Sequence, residues 1–177
     1  KLDKNPYGEA FLKRYEPGLV SQGVSAELVA AKWGISRQEL DEYSARSHER
    51  AHQARETGLF KREILPINTV NGVVDQDETI RPGTQASKLA ELKSPFENEA
   101  MAQRFPQIGW HVTAGNASQI SDGAAAMLIM SRTMAEKLGL KPRARFVAFD
   151  VRGDDPLLML TAPISSSRKA IDKSGLK

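Results

Sequence analysis

The sequence contains no cysteine. A disulfide framework, a cysteine-based zinc site and a thiolate nucleophile are therefore excluded within its 177 residues. Long apolar runs are missing as well. A membrane-spanning helix needs about 18 nearly uninterrupted apolar residues, and the longest candidate, 124–130, falls well short, so no span is expected. Lys1 to Pro6 have no apolar core of the signal-peptide kind, and the expected compartment is the cytoplasm. There is no stripe of one charge. Lys and Arg number 25 against 22 acids, for a net charge of +3, and the two signs are interspersed. That excludes the footprint of a nucleic-acid binder, while a mild excess of this size suits a phosphorylated small molecule. No fixed-period repeat and no low-complexity segment occurs. Histidines are few: His48, His52 and His111. His48 and His52 stand four apart, a spacing that can hold a metal on a helix. Both lie in a strongly charged stretch, and they are expected to be solvated, with no metal site.

What is present is ordinary globular material, 40% hydrophobic and 27% charged, long enough for one domain or parts of two. Residues 1–23 are rich in Pro, Gly and charge, with a helical patch at Glu9 to Arg14. Ser25 is the expected N-cap of a helix closed by Gly34. Ser36 and Glu39 form a capping box that opens a longer helix running to Thr57, with Gly58 ending it. Phe60 to Ile67 alternates like a strand. Asn71-Gly72 is a turn signal, with Val73-Val74 returning. Ser87 to Leu92 reads as a short helix stopped by Pro95. Ala124 to Met130 suits a strand buried on both faces, with a buried helix as the competitor. Arg132 to Leu138 and Ser165 to Lys173 are expected helices, and Arg145 to Val151 an expected strand. Both ends read as unfinished, and Lys177 falls where a further strand is expected.

The most informative stretch is Thr113-Ala114-Gly115-Asn116-Ala117-Ser118, followed by Asp122-Gly123-Ala124-Ala125-Ala126. Gly115 permits close backbone approach. Asn116 and Ser118 can bond either the surrounding backbone or a ligand amide. A turn feeding a core strand and a ligand-binding turn both fit these residues.

Together with Gln119-Ile120-Ser121, this stretch resembles the TAGNASxxxDGAAA signature of thiolases at every fixed position. Four further blocks are similar to that family in order and spacing: Gly23 to Ala30; Ser36 to Asp41 with Ser44, Ser47 and Ala51; Gly58 to Pro66; and Asp77-Glu78 to Arg81 with Leu89 to Lys93 and Phe96. Downstream, Leu138-Gly139-Leu140, Pro142, Arg145, Asp155-Pro156, Pro163 and Lys169-Ala170 also agree. The resemblance spans nearly the whole chain and marks it as an internal piece of a 3-ketoacyl-CoA thiolase of degradative or sterol type. It implies an α/β fold layered α-β-α-β-α, with residues 1–118 as the CoA-cradling loop domain. Residues 119–142 would be the last strand and helix of the N-terminal half, and 143–177 the start of the C-terminal half.

The resemblance also implies a division of labour. Thiolase chemistry uses CxS, GHPxG, NEAF and CxGGG motifs. None occurs here, so no catalytic residue is assigned and this chain alone is expected to be inactive. Ser118 and the backbone at Ala114-Gly115 would bond the pantetheine amides of CoA. Arg81 would stack on adenine, since a guanidinium can lie flat on a purine, and Lys88 would lie near the ribose phosphate. Where short-chain biosynthetic members read HxxHMG, this sequence has Ser21 and Gln22 at the second histidine and the methionine, which implies a roomier acyl pocket. The expected activity is acyl transfer to CoA by thiolytic cleavage, or Claisen condensation, in fatty-acid or sterol side-chain degradation. CoA enters as substrate and no cofactor is implied. The full-length enzyme is expected to be a homodimer or homotetramer. Two other classes fit parts of the sequence: a non-catalytic CoA-binding module, and a helical interaction module without a ligand.

Overall fold

The computed structural model describes residues 7–176. The reading of Lys1 to Pro6 therefore lies outside the described residues. The chain divides into two compact units, one running to Ser121 and the other starting at Asp122.

In the first unit, α1 (Glu9–Arg14) precedes α2 (Gln22–Trp33) and α3 (Arg37–Glu56). Helix α2 starts earlier than expected. Ser21, not Ser25, is its N-cap, accepting the Val24 N–H at 3.5 Å, and Ser25 lies buried inside the helix. The early start is built in at Gly23, where a Cβ would come within 2.2 Å of the Phe96 ring, so only glycine lets the first turn seat there. Gly34 ends α2 in the left-handed region, which costs glycine little. Helix α3 opens with the expected capping box. The Ser36 hydroxyl accepts the Glu39 N–H, and the Glu39 carboxylate accepts the Ser36 N–H at 2.8 Å.

The expected strand at Phe60 to Ile67 does not form. Turns occupy 57–63, and only β1 (Ile67–Thr69) pairs, antiparallel, with β2 (Gly72–Val74). Helix α4 (Ala86–Leu89) packs against α3, and α5 (Glu99–Arg104) follows, capped by Asn98. Val24, Leu28, Ala30, Phe105 and Ile108 form the apolar core of this unit, but its most deeply buried side chains are Glu27, Thr113, Asp41 and Ser25. The centre of the unit is therefore a polar network, and every buried side-chain nitrogen and oxygen among the described residues has a partner.

The second unit holds α6 (Arg132–Lys137) and α7 (Ala162–Ser174). Neither Ala124 to Met130 nor Arg145 to Val151 forms a strand, and Met127, Leu128, Ile129, Phe149 and Val151 are exposed. The alternation and apolarity that suggest strands describe a surface wanting neighbours. Without a ladder partner among the described residues, the backbone has no sheet to join. Asp150 ties the end of the second stretch to α7, accepting Lys173 Nζ at 2.6 Å and Arg152 Nε at 2.9 Å.

Candidate functional site

The 113–118 turn is held from inside by two buried acids. Glu27 projects from α2 and accepts the backbone N–H groups of His111 at 2.8 Å and Val112 at 2.6 Å. The Ser94 hydroxyl reaches the same carboxylate at 3.5 Å. Just upstream, Trp110 sits at φ 56°, a left-handed conformation that costs a bulky residue about 1–3 kcal/mol and persists only where its surroundings over-determine it. The double grip of Glu27 on the next two residues supplies that determination. Asp41, from α3, accepts Arg37 Nε at 2.7 Å and Asn116 Nδ2 at 2.9 Å. Asn116 also donates to the His111 carbonyl at 2.9 Å and accepts the Thr113 N–H at 2.7 Å. Of the two roles open to Asn116, the structure selects the internal one.

The outer edge of the turn is different. Ala114, Ala117 and Ser118 are exposed, and the Ser118 hydroxyl has no hydrogen bond among the described residues. Gly115 packs so closely on α4 that a Cβ would come within 2.6 Å of both Leu89 and Leu92. Arg37 reaches from α3 to the carbonyls of Leu89 and Leu92, the latter at 3.1 Å. Lys88, on α4, is exposed and pairs with Glu91 at 3.2 Å.

Arg81 is itself fixed only through its backbone, in a loop that side chains hold. Its N–H donates to His48 Nδ1 at 3.3 Å and its carbonyl accepts the Thr84 hydroxyl at 2.7 Å. Asp77 turns the loop, accepting the hydroxyl and N–H of Thr79 at 2.6 and 2.8 Å. Those two bonds, hydroxyl first, hold its carboxyl below the usual aspartate range, with Arg55 adding to the effect. The Arg81 guanidinium is exposed and has no partner among the described residues. Gln119 bridges loop and turn, donating to the Thr79 carbonyl at 3.3 Å. Thus Arg81, Lys88, Ala114, Gly115 and Ser118 all sit on three segments that are tied to one another. Ser21 and Gln22 stand apart at the start of α2, and no hydrogen bond joins them to the turn.

Residues 48–52 spell His-Glu-Arg-Ala-His, the order used by helical zinc sites, yet both rings are set against it. His48 Nδ1 accepts from a backbone N–H, and His52 Nδ1 accepts from the Arg55 guanidinium at 3.1 Å. In the neutral rings each Nε2 then carries the proton and offers no lone pair to a metal. A separate cavity of about 380 Å³ lies beside the C-terminal part of α3, lined by Arg55, Phe60, Lys61, Ile64 and Ile80 among others.

Glu27, Asp41 and Arg37 escape a reading of the sequence for ligand contacts because their partners are other parts of the chain. Their signals are a lone acid between the apolar Val24 and Leu28, and an Arg–Asp pair at i, i+4.

Comparison with known proteins identifies the family. A family model for "Thiolase, N-terminal domain" matches residues 18–133. The 3-ketoacyl-CoA thiolase of Marinobacter nauticus is 43% identical over 160 residues, which are 88% of this chain and 39% of that protein. The 3-ketoacyl-CoA thiolase of Vibrio cholerae is 45% identical over 159 residues, 87% and 39% of the respective chains. Among solved structures, the dimeric peroxisomal thiolase of Saccharomyces cerevisiae matches with a TM-score of 0.79 at 34% identity, covering 89% of this chain and 38% of its own. The acetyl-CoA acetyltransferase of Bacillus anthracis gives 0.79 at 33% identity, covering 99% and 44%. The architecture is thus part of the α/β thiolase fold. The chain belongs to the thiolase family, a family of acyltransferases. It spans about 39% of the length of the curated relatives it matches.

Proposed function

We propose that this chain supplies the CoA-binding part of a 3-ketoacyl-CoA thiolase, with 1–118 as the loop domain, 119–142 completing the N-terminal half and 143–177 beginning the C-terminal half. The supporting observation is the two-sided turn: an inner edge locked by Glu27, Asp41 and Asn116, and an outer edge whose Ser118 hydroxyl is uncommitted, bridged by Gln119 to the loop carrying an unpaired Arg81. A pantetheine arm carries amides that need partners when taken out of water. Ser118 and the backbone at Ala114-Gly115 would provide them, with Arg81 serving the adenine and Lys88 the phosphates. Ser21 and Gln22 would shape a wider acyl pocket, favouring longer fatty or sterol-derived 3-ketoacyl chains.

The chemical step needs a thiolate nucleophile, and this chain has no cysteine. It therefore binds without turnover when alone. In the complete enzyme the reaction is cleavage of 3-ketoacyl-CoA by a second CoA, or its reverse, in a homodimer or homotetramer in the cytoplasm. Among the described residues no helix is long and apolar enough to cross a membrane.

Titration of the full chain with CoA by calorimetry tests the site. Saturable binding is expected, with Ser118→Ala weakening it about fivefold to tenfold, the value of one hydrogen bond of roughly 1 kcal/mol. Arg81→Ala should weaken CoA and leave dephosphorylated pantetheine unaffected. Binding that neither substitution changes rejects the assignment. Acyl preference is tested on the full-length enzyme, where a strong preference for acetoacetyl-CoA would reject the wide pocket.

A further inference from the structure

We propose that Asp41 is a positioning residue for the ligand-binding edge of the 113–118 turn. It acts through Asn116 and touches no ligand itself. The proposal rests on the reading of that edge as a CoA site.

Asp41 is only 1% exposed. A carboxylate is removed from water without penalty only where its oxygens meet donors. Oδ2 accepts Arg37 Nε at 2.7 Å and Oδ1 accepts Asn116 Nδ2 at 2.9 Å. The second bond carries information. An ionised carboxylate can only accept, so it must face the NH2 end of the Asn116 amide. That choice delivers Asn116 Oδ1 to the Thr113 N–H at 2.7 Å and leaves Nδ2 in reach of the His111 carbonyl at 2.9 Å. The opposite amide orientation would set oxygen against carboxylate and NH2 against N–H. Asp41 thereby selects one closure of the turn. Its partner Arg37 extends the same control to the end of α4 and the turn after it, holding the carbonyls of Leu89 and Leu92, whose side chains Gly115 packs against. One buried acid therefore fixes both the turn bearing Ser118 and the helix bearing Lys88.

The test uses Asp41→Asn, which keeps shape but presents either an oxygen or an NH2 to Asn116. In the full chain, CoA affinity is measured by calorimetry well below the melting temperature, with circular dichroism confirming the fold. The variant is expected to raise the Kd for CoA about tenfold, within the usual range for coupled sites. Asn116→Ala should do likewise, and the double variant should bind no more weakly than Asn116→Ala alone, because the two residues act in series. An unchanged Kd in folded Asp41→Asn, or losses that add in the double variant, overturns the proposal. Should Asp41→Asn fail to fold, Arg37→Lys replaces it. It removes the fork onto Leu89 and Leu92 at a half-exposed position, and an unchanged Kd there overturns the proposal equally. If the unsubstituted chain gives no CoA binding, the site reading itself falls and the proposal with it, a result distinct from any effect confined to the variants.

Discussion

Glu27 is the residue on which most of the first unit converges. Its carboxylate serves two backbone N–H groups and one hydroxyl while wholly out of solvent. Glu27→Gln keeps the volume but turns an NH2 toward one of the N–H groups. It should cost about 1–3 kcal/mol for a buried donor left without an acceptor, measured as a shift in the urea midpoint at unchanged slope. Asp77 shows the other face of residue-scale electrostatics. The Thr79 hydroxyl and then its N–H hold its carboxyl below the usual aspartate range. A lowered carboxyl stabilises the fold at pH values above its unfolded pKa, and that contribution disappears as pH falls through the folded value. Denaturation of the chain at pH 7 and at about pH 3 should show the loss, and Asp77→Asn should reduce it. At this scale the sequence reveals part of the proposed site. Arg81, Ser118 and Gly115 stand out in it because they are a cation, a hydroxyl and a glycine in a recognisable string. The acids that hold the 113–118 turn do not, since Glu27 and Asp41 act across 84 and 75 positions of the chain, and no local pattern encodes a partner that distant.

The elements divide by the source of their stability. Helix α3 is legible because its signals are local: the Ser36–Glu39 box at the start and i, i+4 pairs such as Arg37–Asp41 within. The Glu39 carboxyl is held low by the Ser36 N–H and then its hydroxyl. Ser36→Ala should therefore lower stability by about 1 kcal/mol near neutral pH and by less once Glu39 is protonated, as thermal melts at the two pH values would show. Helix α2 begins a turn before its expected start because the decisive contact, Gly23 on Phe96, joins residues 73 positions apart. Gly23→Ala forces that ring aside and should cost about 1–3 kcal/mol, read by thermal melting. The strands are the least legible elements. A helix satisfies its backbone within itself, whereas a strand exists only beside another. Of the expected strands, only Val73-Val74 pairs as foreseen, with Ile67–Thr69, because a tight turn brings its partner within reach.

At the scale of the molecule, the two units differ in how they are closed. The first has a buried polar network with no side chain left unsatisfied among the described residues, while the second leaves Met127, Leu128, Ile129, Phe149 and Val151 exposed. Amide exchange should follow this division, with 124–130 and 145–151 exchanging far faster than α2 and the middle of α3. Comparable protection across both units would contradict it. In the second unit Asp150 carries the acid sensitivity. Lys173 and then Arg152 hold its carboxyl low, so the link to α7 is complete at neutral pH and fails in acid. Helix α4 shows how far a short element of the first unit depends on its neighbour. At four residues it is far too short to persist by its own backbone bonds, and the carbonyl of its last residue, Leu89, is taken up by Arg37 of α3 together with that of Leu92 beyond it. It is an imprint that α3 leaves on the chain, so a spectroscopic label placed at Lys88 should report whether Arg37 keeps its hold, changing its signal in Arg37→Lys while α3 stays helical.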